Sequence, residues 1–154
     1  MQGGVVPADG ASEELNIGLL LFLPYRALGA RIDQALAAAG YGDMTEAQSR
    51  IFQRIGAQGS RLTDLAEQAQ VTKQTAGILV DQLEALGYVE RTPDPDDGRA
   101  RLIRVTERGR ANIAVALAVI GQVEAEWAAH LGTRRMNQLR DALTALREIT
   151  DPYR

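Results

Sequence analysis

Lys73, Gln74 and Thr75, with Gly77 and Ile78 just beyond, place a set of side chains suited to base edges within one short stretch. A glutamine amide can pair bidentately with adenine, a lysine can reach guanine or phosphate, and an apolar side chain can touch a thymine methyl. A second group follows at Asp97, Arg99 and Arg101, and the run from Gly98 to Arg104 holds three arginines and no acid. Guanidinium groups pair with phosphates or enter a narrow, A·T-rich minor groove. Asp94, Asp96 and Asp97 also invite a calcium-loop reading. An EF-hand, however, needs acids at loop positions 1, 3 and 5, Gly at 6 and Glu at 12, and the spacing here fails. His130, the only histidine, has Glu126 one turn earlier, the spacing of an ordinary helical pair. With no nucleophile–base motif, phosphate loop or metal constellation, neither catalysis, a cofactor nor a metal site is expected.

Side chains that read a groove must be held by elements that fit it, and the pattern from Leu62 to Arg110 supplies them. Thr63 is expected to cap a first helix carrying Leu65, Ala66 and Ala69 at helical spacing. After a turn near Gln70-Val71, Thr72 is expected to cap a second helix through the amide of Gln74 or Thr75. Ala76, Leu79, Val80, Leu83 and Leu86 form its apolar stripe, which leaves Lys73, Gln74, Thr75, Gly77 and Ile78 on the opposite face. Gly87 stands where a left-handed C-terminal cap belongs. Tyr88–Arg91 and Arg101–Val105 read as two strands, joined through the turn-forming residues Thr92–Gly98. Helix, turn, helix and ribbon in that order make a winged helix-turn-helix.

Leu65-Ala66, Thr72–Thr75, Leu83–Arg91, the wing Asp94-Pro95-Asp96-Asp97-Gly98-Arg99 and Val105-Thr106-Glu107-Arg108-Gly109 together resemble the MarR family of bacterial transcriptional regulators. The Asp-Pro-x-Asp-x-Arg turn, followed by a strand ending in Thr-x-x-Gly, is the strongest of these signatures. The resemblance implies a homodimeric, sequence-specific binder of double-stranded DNA. It implies a repressor released by a small aromatic or anionic effector, bound where the DNA-binding lobe meets the dimer helices. Thr72, Lys73, Gln74, Thr75, Gly77, Ile78, Asp97, Arg99 and Arg101 are the expected DNA-binding residues, with Asp97 steadying an Arg99 that enters the minor groove. Many members carry Arg or Lys where this chain has Ile78, which implies fewer phosphate contacts. Tyr25, Arg26 and Trp127 are candidates for the effector site by residue type alone. A winged-helix module for protein contacts, with no operator of its own, is the alternative. The arginines at 99, 101 and 104 argue against it.

Composition permits this reading. Net charge is −3 with charged residues at 24%, but DNA affinity depends on local rather than total charge. The absence of cysteine excludes disulfides, thiolate metal sites and thiol-based redox sensing. No apolar run is long enough for a membrane span and no basic leader precedes one, so a cytoplasmic location is expected.

The flanks of the winged unit are more apolar than one chain can easily cover. A helix is expected from Ser12 to Ala39, bearing Leu19–Leu23 in succession, with Pro24 kinking or restarting it. A capping box at Thr45 and Gln48 opens the next helix, which buries Ile51, Phe52 and Ile55. Thr106 is expected to cap a helix to about Leu131, in which Ala111–Ile120 has Asn112 as its sole polar residue. Gly132 breaks it, and Thr133 is expected to cap a last helix bearing Met136, Leu139, Leu143, Leu146 and Ile149. Mainly α architecture with a small β-wing follows: a flexible N-terminus at 1–11, a winged lobe at 44–106, and helices at 12–43 and 107–151. Intertwining of those terminal helices in a homodimer would cover the excess apolar surface.

Overall fold

The structure, a computed structural model, describes residues 14–153, so the expectation for 1–11 lies outside the described residues. Six helices and one hairpin follow in the order α1 (Ile17–Ala38), α2 (Glu46–Phe52), α3 (Leu62–Gln68), α4 (Lys73–Ala85), β1 (Val89–Asp94), β2 (Asp97–Val105), α5 (Glu107–Leu131) and α6 (Thr133–Thr150). The mainly α, winged-helix architecture is as expected from sequence.

Short-range chemistry starts and stops most of these elements. Thr45 and Gln48 form the expected reciprocal capping box, with each side chain on the other's amide (3.0 and 3.2 Å). Thr72 accepts from the Thr75 amide, and Thr106 from that of Gly109. Gly87, at φ +84°, lets the amides of Gly87 and Tyr88 reach back to the carbonyls of Glu84 and Leu83, a Schellman ending. The turn between α3 and α4 has the same geometry with glutamine in the glycine's place. Gln70 has φ +57°, and its side chain donates to the Glu67 carbonyl and to the hydroxyl of Tyr153 (3.1 and 2.6 Å).

Several expected boundaries move. The first helix begins at Ile17, not Ser12, because Asn16 caps the Leu19 amide; it then runs unbroken through Pro24. Thr63 and Thr133 cap nothing. Arg61 and Gly132 occupy the cap positions, without a side-chain cap bond, and each threonine falls inside its helix. Glu126 pairs not with His130 but with Arg31 of α1, in a two-pronged contact at 2.8 and 3.0 Å that ties α1 to α5.

The core sits in the winged lobe. Ile51, Leu65, Ala76, Val80, Leu83, Tyr88, Val89 and Ile103 are buried together, with Leu79, Leu86 and Ile55 packed partly against them. The start of α5 is clamped to this core. Thr106 donates from its hydroxyl to the Gly87 carbonyl and from its amide to that of Tyr88, and Gly109 passes directly over the latter. Arg108 lies across the rings of Tyr88 and Tyr41 (4.7 and 5.2 Å) and reaches Asp43, which accepts from the Tyr88 hydroxyl. That hydroxyl holds the Asp43 carboxyl below its usual range, while burial pushes the Tyr88 phenol up.

Outside the lobe the chain is barely covered. Neither α1 nor α6 buries a single residue, and Leu20, Phe22, Leu143 and Leu146 are all about half exposed. In the apolar part of α5, Asn112 is buried with no partner for its Nδ2, whereas Leu117 is 61% exposed.

Candidate nucleic-acid interface

The second helix of the helix-turn-helix presents the residues expected of it. With Ala76, Val80 and Leu83 packed inward, Thr72, Lys73, Gln74, Thr75 and Ile78 face solvent. The Thr72 hydroxyl serves twice, accepting from the Thr75 amide and donating to the Thr75 hydroxyl at 2.9 Å. Both threonines are therefore fixed before any ligand arrives, while Lys73 and Gln74 are exposed on the first turn of the helix. Gly77 has no steric cause within the protein. A Cβ there would meet only Leu62 Cδ2 at 3.7 Å, an ordinary contact.

The wing differs from expectation in length and in the faces of its arginines. Thr92–Gly98 is not all turn: β1 continues through Pro93 to Asp94, β2 starts at Asp97, and only Pro95 and Asp96 connect them. Pro93 is tolerated because this ribbon has a free edge there and needs no donor from it. Pairing holds from Val89 opposite Val105 to Pro93 opposite Arg101, then jumps to Asp94 opposite Asp97. Gly98, Arg99 and Ala100 therefore bulge out without cross-strand partners. Arg101 lies on the face of Ile103, while Arg104, one position out of phase, lies on the other and donates to Thr92 Oγ1 at 3.1 Å. The basic tip thus consists of Arg99 and Arg101, both exposed, rather than three arginines in a row.

Asp97 meets Arg99 through the backbone. Its Oδ1 accepts from the Arg99 amide at 3.1 Å, and no ion pair to the Arg99 guanidinium occurs among the described residues. The carboxylate orients the chain that carries the guanidinium, leaving the guanidinium itself unengaged.

Asp94, which composition alone would place as a repulsive charge at the tip, is only 6% exposed. Its Oδ1 accepts from the Asp96 amide at 2.9 Å, and its Oδ2 from Arg61 Nε and Nη2 at 3.0 and 2.7 Å. The Asp96 amide and the Arg61 guanidinium hold its carboxyl below the usual range. Sequence reading missed Arg61 entirely, because its partner lies 33 residues away and no local pattern marks the pair. Ser60 beside it forms an isolated bridge with Ile103, donating and accepting at 3.0 and 2.8 Å, so the segment before α3 also grips the base of the wing.

Of the three effector-site candidates, Tyr25 and Trp127 come together. They line an open apolar groove of about 730 Å³ between α1, α5 and α6, with Phe22, His130, Leu139 and Leu143. Arg26 is not in its lining; its guanidinium lies 5.7 Å from the Phe22 ring centroid. Among the described residues no group of three or more potential metal-binding side chains gathers anywhere, and no helix is long and apolar enough to cross a membrane.

Residues 42–100 match the model of the MarR family. No curated protein matches the chain significantly. Among solved structures the chain is similar to MarR, at 26% identity and a TM-score of 0.66, covering 87% of this chain and 96% of that one. It is similar to a transcriptional regulator from Thermotoga maritima at 27% identity and a TM-score of 0.62, covering 87% and 93%. A mutant of S. aureus MepR bound to an oligodeoxyribonucleotide shares the fold at 22% identity and a TM-score of 0.58, covering 86% and 96%.

Proposed function

We propose, for a chain whose residues 42–100 match the MarR family model, a homodimeric repressor of that family that binds a pseudo-palindromic operator and is released by a small effector. Residues 44–106 serve as the DNA-binding lobe, and 12–43 with 107–151 as the dimerisation region. The single observation that carries the reading is the pairing of two exposed groups on one lobe. The first turn of α4 offers Lys73, Gln74 and Thr75, and the wing bulge offers Arg99 and Arg101. A recognition helix in the major groove and a basic wing tip reaching the neighbouring minor groove or backbone need this combination. A protein-docking winged helix has no need of a bulge that projects an unpaired guanidinium.

Selection from random duplex DNA with the purified chain tests the reading. Two lobes related by a two-fold axis are expected to select two half-sites about one helical turn, roughly 10 base pairs, apart. Single unrepeated half-sites would remove the symmetric dimer from the proposal, and no enrichment would remove the operator.

The wing makes a second expected result. Arg99→Ala leaves folding almost untouched, since the residue is exposed and unpaired, but weakens binding by about 1–3 kcal/mol if the side chain enters the groove. The loss is larger on A·T-rich than on G·C-rich flanks, because a narrow minor groove concentrates negative potential. Arg101→Ala lowers affinity about equally on all sequences and reduces the salt dependence. Fluorescence anisotropy on two duplexes differing only in their flanks reads both. Equal losses for Arg99→Ala on the two would assign it to phosphate alone.

The effector part of the reading rests on the groove lined by Tyr25 and Trp127, which lies among α1, α5 and α6 and not, as the family resemblance implies, where the winged lobe meets them. Its size suits a small aromatic molecule, and it opens on the same apolar face that a second copy would cover. A molecule held there would alter how the two copies sit, and with them the spacing of the two lobes.

A further inference from the structure

We propose that Arg61 is a positioning residue for the wing, acting on DNA recognition through Asp94 rather than by touching DNA. The inference rests on the DNA-binding reading above and assigns a role within it. Four observations carry it. The ladder is interrupted at the wing tip, since Gly98, Arg99 and Ala100 have no cross-strand partners and only Asp94 opposite Asp97 pairs beyond them. Beside that closing pair and the Asp97 contact to the Arg99 amide, the tip is held by the carboxylate of Asp94, the last residue of β1, with one oxygen on the Asp96 amide in the turn. The other oxygen takes both prongs of Arg61, which nearly buries the acid. Arg61 is itself anchored: its carbonyl accepts from Leu65 at the start of α3, and its neighbour Ser60 is bridged to Ile103 at the wing's base. Helix and wing are thus joined at two points, and Arg61 makes the outer one. Loosening it frees the turn that leads into Asp97 and the Arg99 amide, and so misdirects the Arg99 side chain without removing it.

Charge alone predicts the opposite outcome for one substitution, which makes the test sharp. Asp94→Asn removes a negative charge beside a DNA-facing surface and on Coulomb grounds would tighten binding. As a positioning pair, Asp94→Asn and Arg61→Ala each weaken binding to a selected duplex by a similar factor, roughly tenfold. The double variant is then no weaker than either single one, since both break the same contact. Arg61→Lys, which keeps the charge but loses the two-pronged grip, recovers part of the loss.

Two readouts separate this from a direct phosphate contact. A lost phosphate contact lowers the salt slope by about one, whereas loss of position leaves it nearly unchanged. Hydrogen exchange of the amides at 96–99 in the free protein is expected to quicken in both single variants, independently of DNA. Asp94→Asn binding as tightly as the parent, or Arg61→Ala lowering the slope with exchange unchanged, would overturn the proposal. Should the parent select no duplex, the DNA-binding reading falls and takes this role with it. Quickened exchange would then show the failure to lie in that reading and not in the clamp.

Discussion

Gly109→Ala is expected to destabilise the protein by roughly 3 kcal/mol, a large share of what a domain of this size possesses. A Cβ at that position would fall inside the van der Waals contact distance of the Tyr88 carbonyl oxygen, 2.6 Å from Val105 Cγ1 and 3.3 Å from Phe52 Cε2. The carbonyl cannot yield, because the Thr106 amide donates to it at 3.0 Å and Tyr88 is wholly buried. The helix propensity gained over glycine, about 1 kcal/mol, offsets only part of this. Gly77→Ala makes the contrast, since the added methyl meets nothing closer than 3.7 Å. It should raise stability by about 1 kcal/mol, and a simultaneous loss of DNA affinity would assign that glycine to the bound groove. Urea unfolding followed by circular dichroism measures both. An unchanged midpoint for Gly109→Ala would mean that α5 can slide away from the lobe at little cost.

The same two glycines mark what a sequence can reveal. Thr106 and Gly109 were legible as a Thr-x-x-Gly signature, but the reason for the glycine is a carbonyl 21 positions earlier, visible only when the elements are packed. Most of the signals that read correctly have partners within five residues: the Thr45–Gln48 box, the caps at Thr72 and Thr106, and the Schellman ending at Gly87. Thr63 and Thr133 misled because a cap is chosen by backbone conformation. Arg61 and Gly132 already held the extended or left-handed geometry one or two residues upstream. Turn-forming composition at Thr92–Gly98 concealed a longer ribbon, since Pro93 and Asp94 are paired by register rather than by propensity. Within the candidate interface, the exposed face of α4 was fully readable from its apolar stripe. The wing was not: the bulge at 98–100 comes from a register jump between Pro93 and Asp94, Asp94 is buried against the distant Arg61, and the Arg104 side chain falls on the opposite face from Arg101.

Leu143→Asp is expected to turn a dimer into a folded monomer. Leu143 is 41% exposed in the single chain, with Leu139 and Leu146 similarly uncovered beside it, so its own fold loses little when a carboxylate replaces it. In an interface the same carboxylate is desolvated without a partner, at about 3 kcal/mol or more per copy. A two-fold interface contains the change twice, so the dimer weakens by on the order of 6 kcal/mol, about 10⁴-fold in its dissociation constant. Sedimentation at micromolar concentration should then show a dimer for the parent and a monomer for the variant, with the circular dichroism of the two nearly alike. Affinity for a pseudo-palindrome should fall to that for one half-site, because the second lobe no longer benefits from the first being bound. A parent that sediments as a monomer removes the dimer. A variant that stays dimeric places the contact away from α6, and the uncovered leucines of α1 from Leu19 to Leu23 would then have to supply it without the last helix.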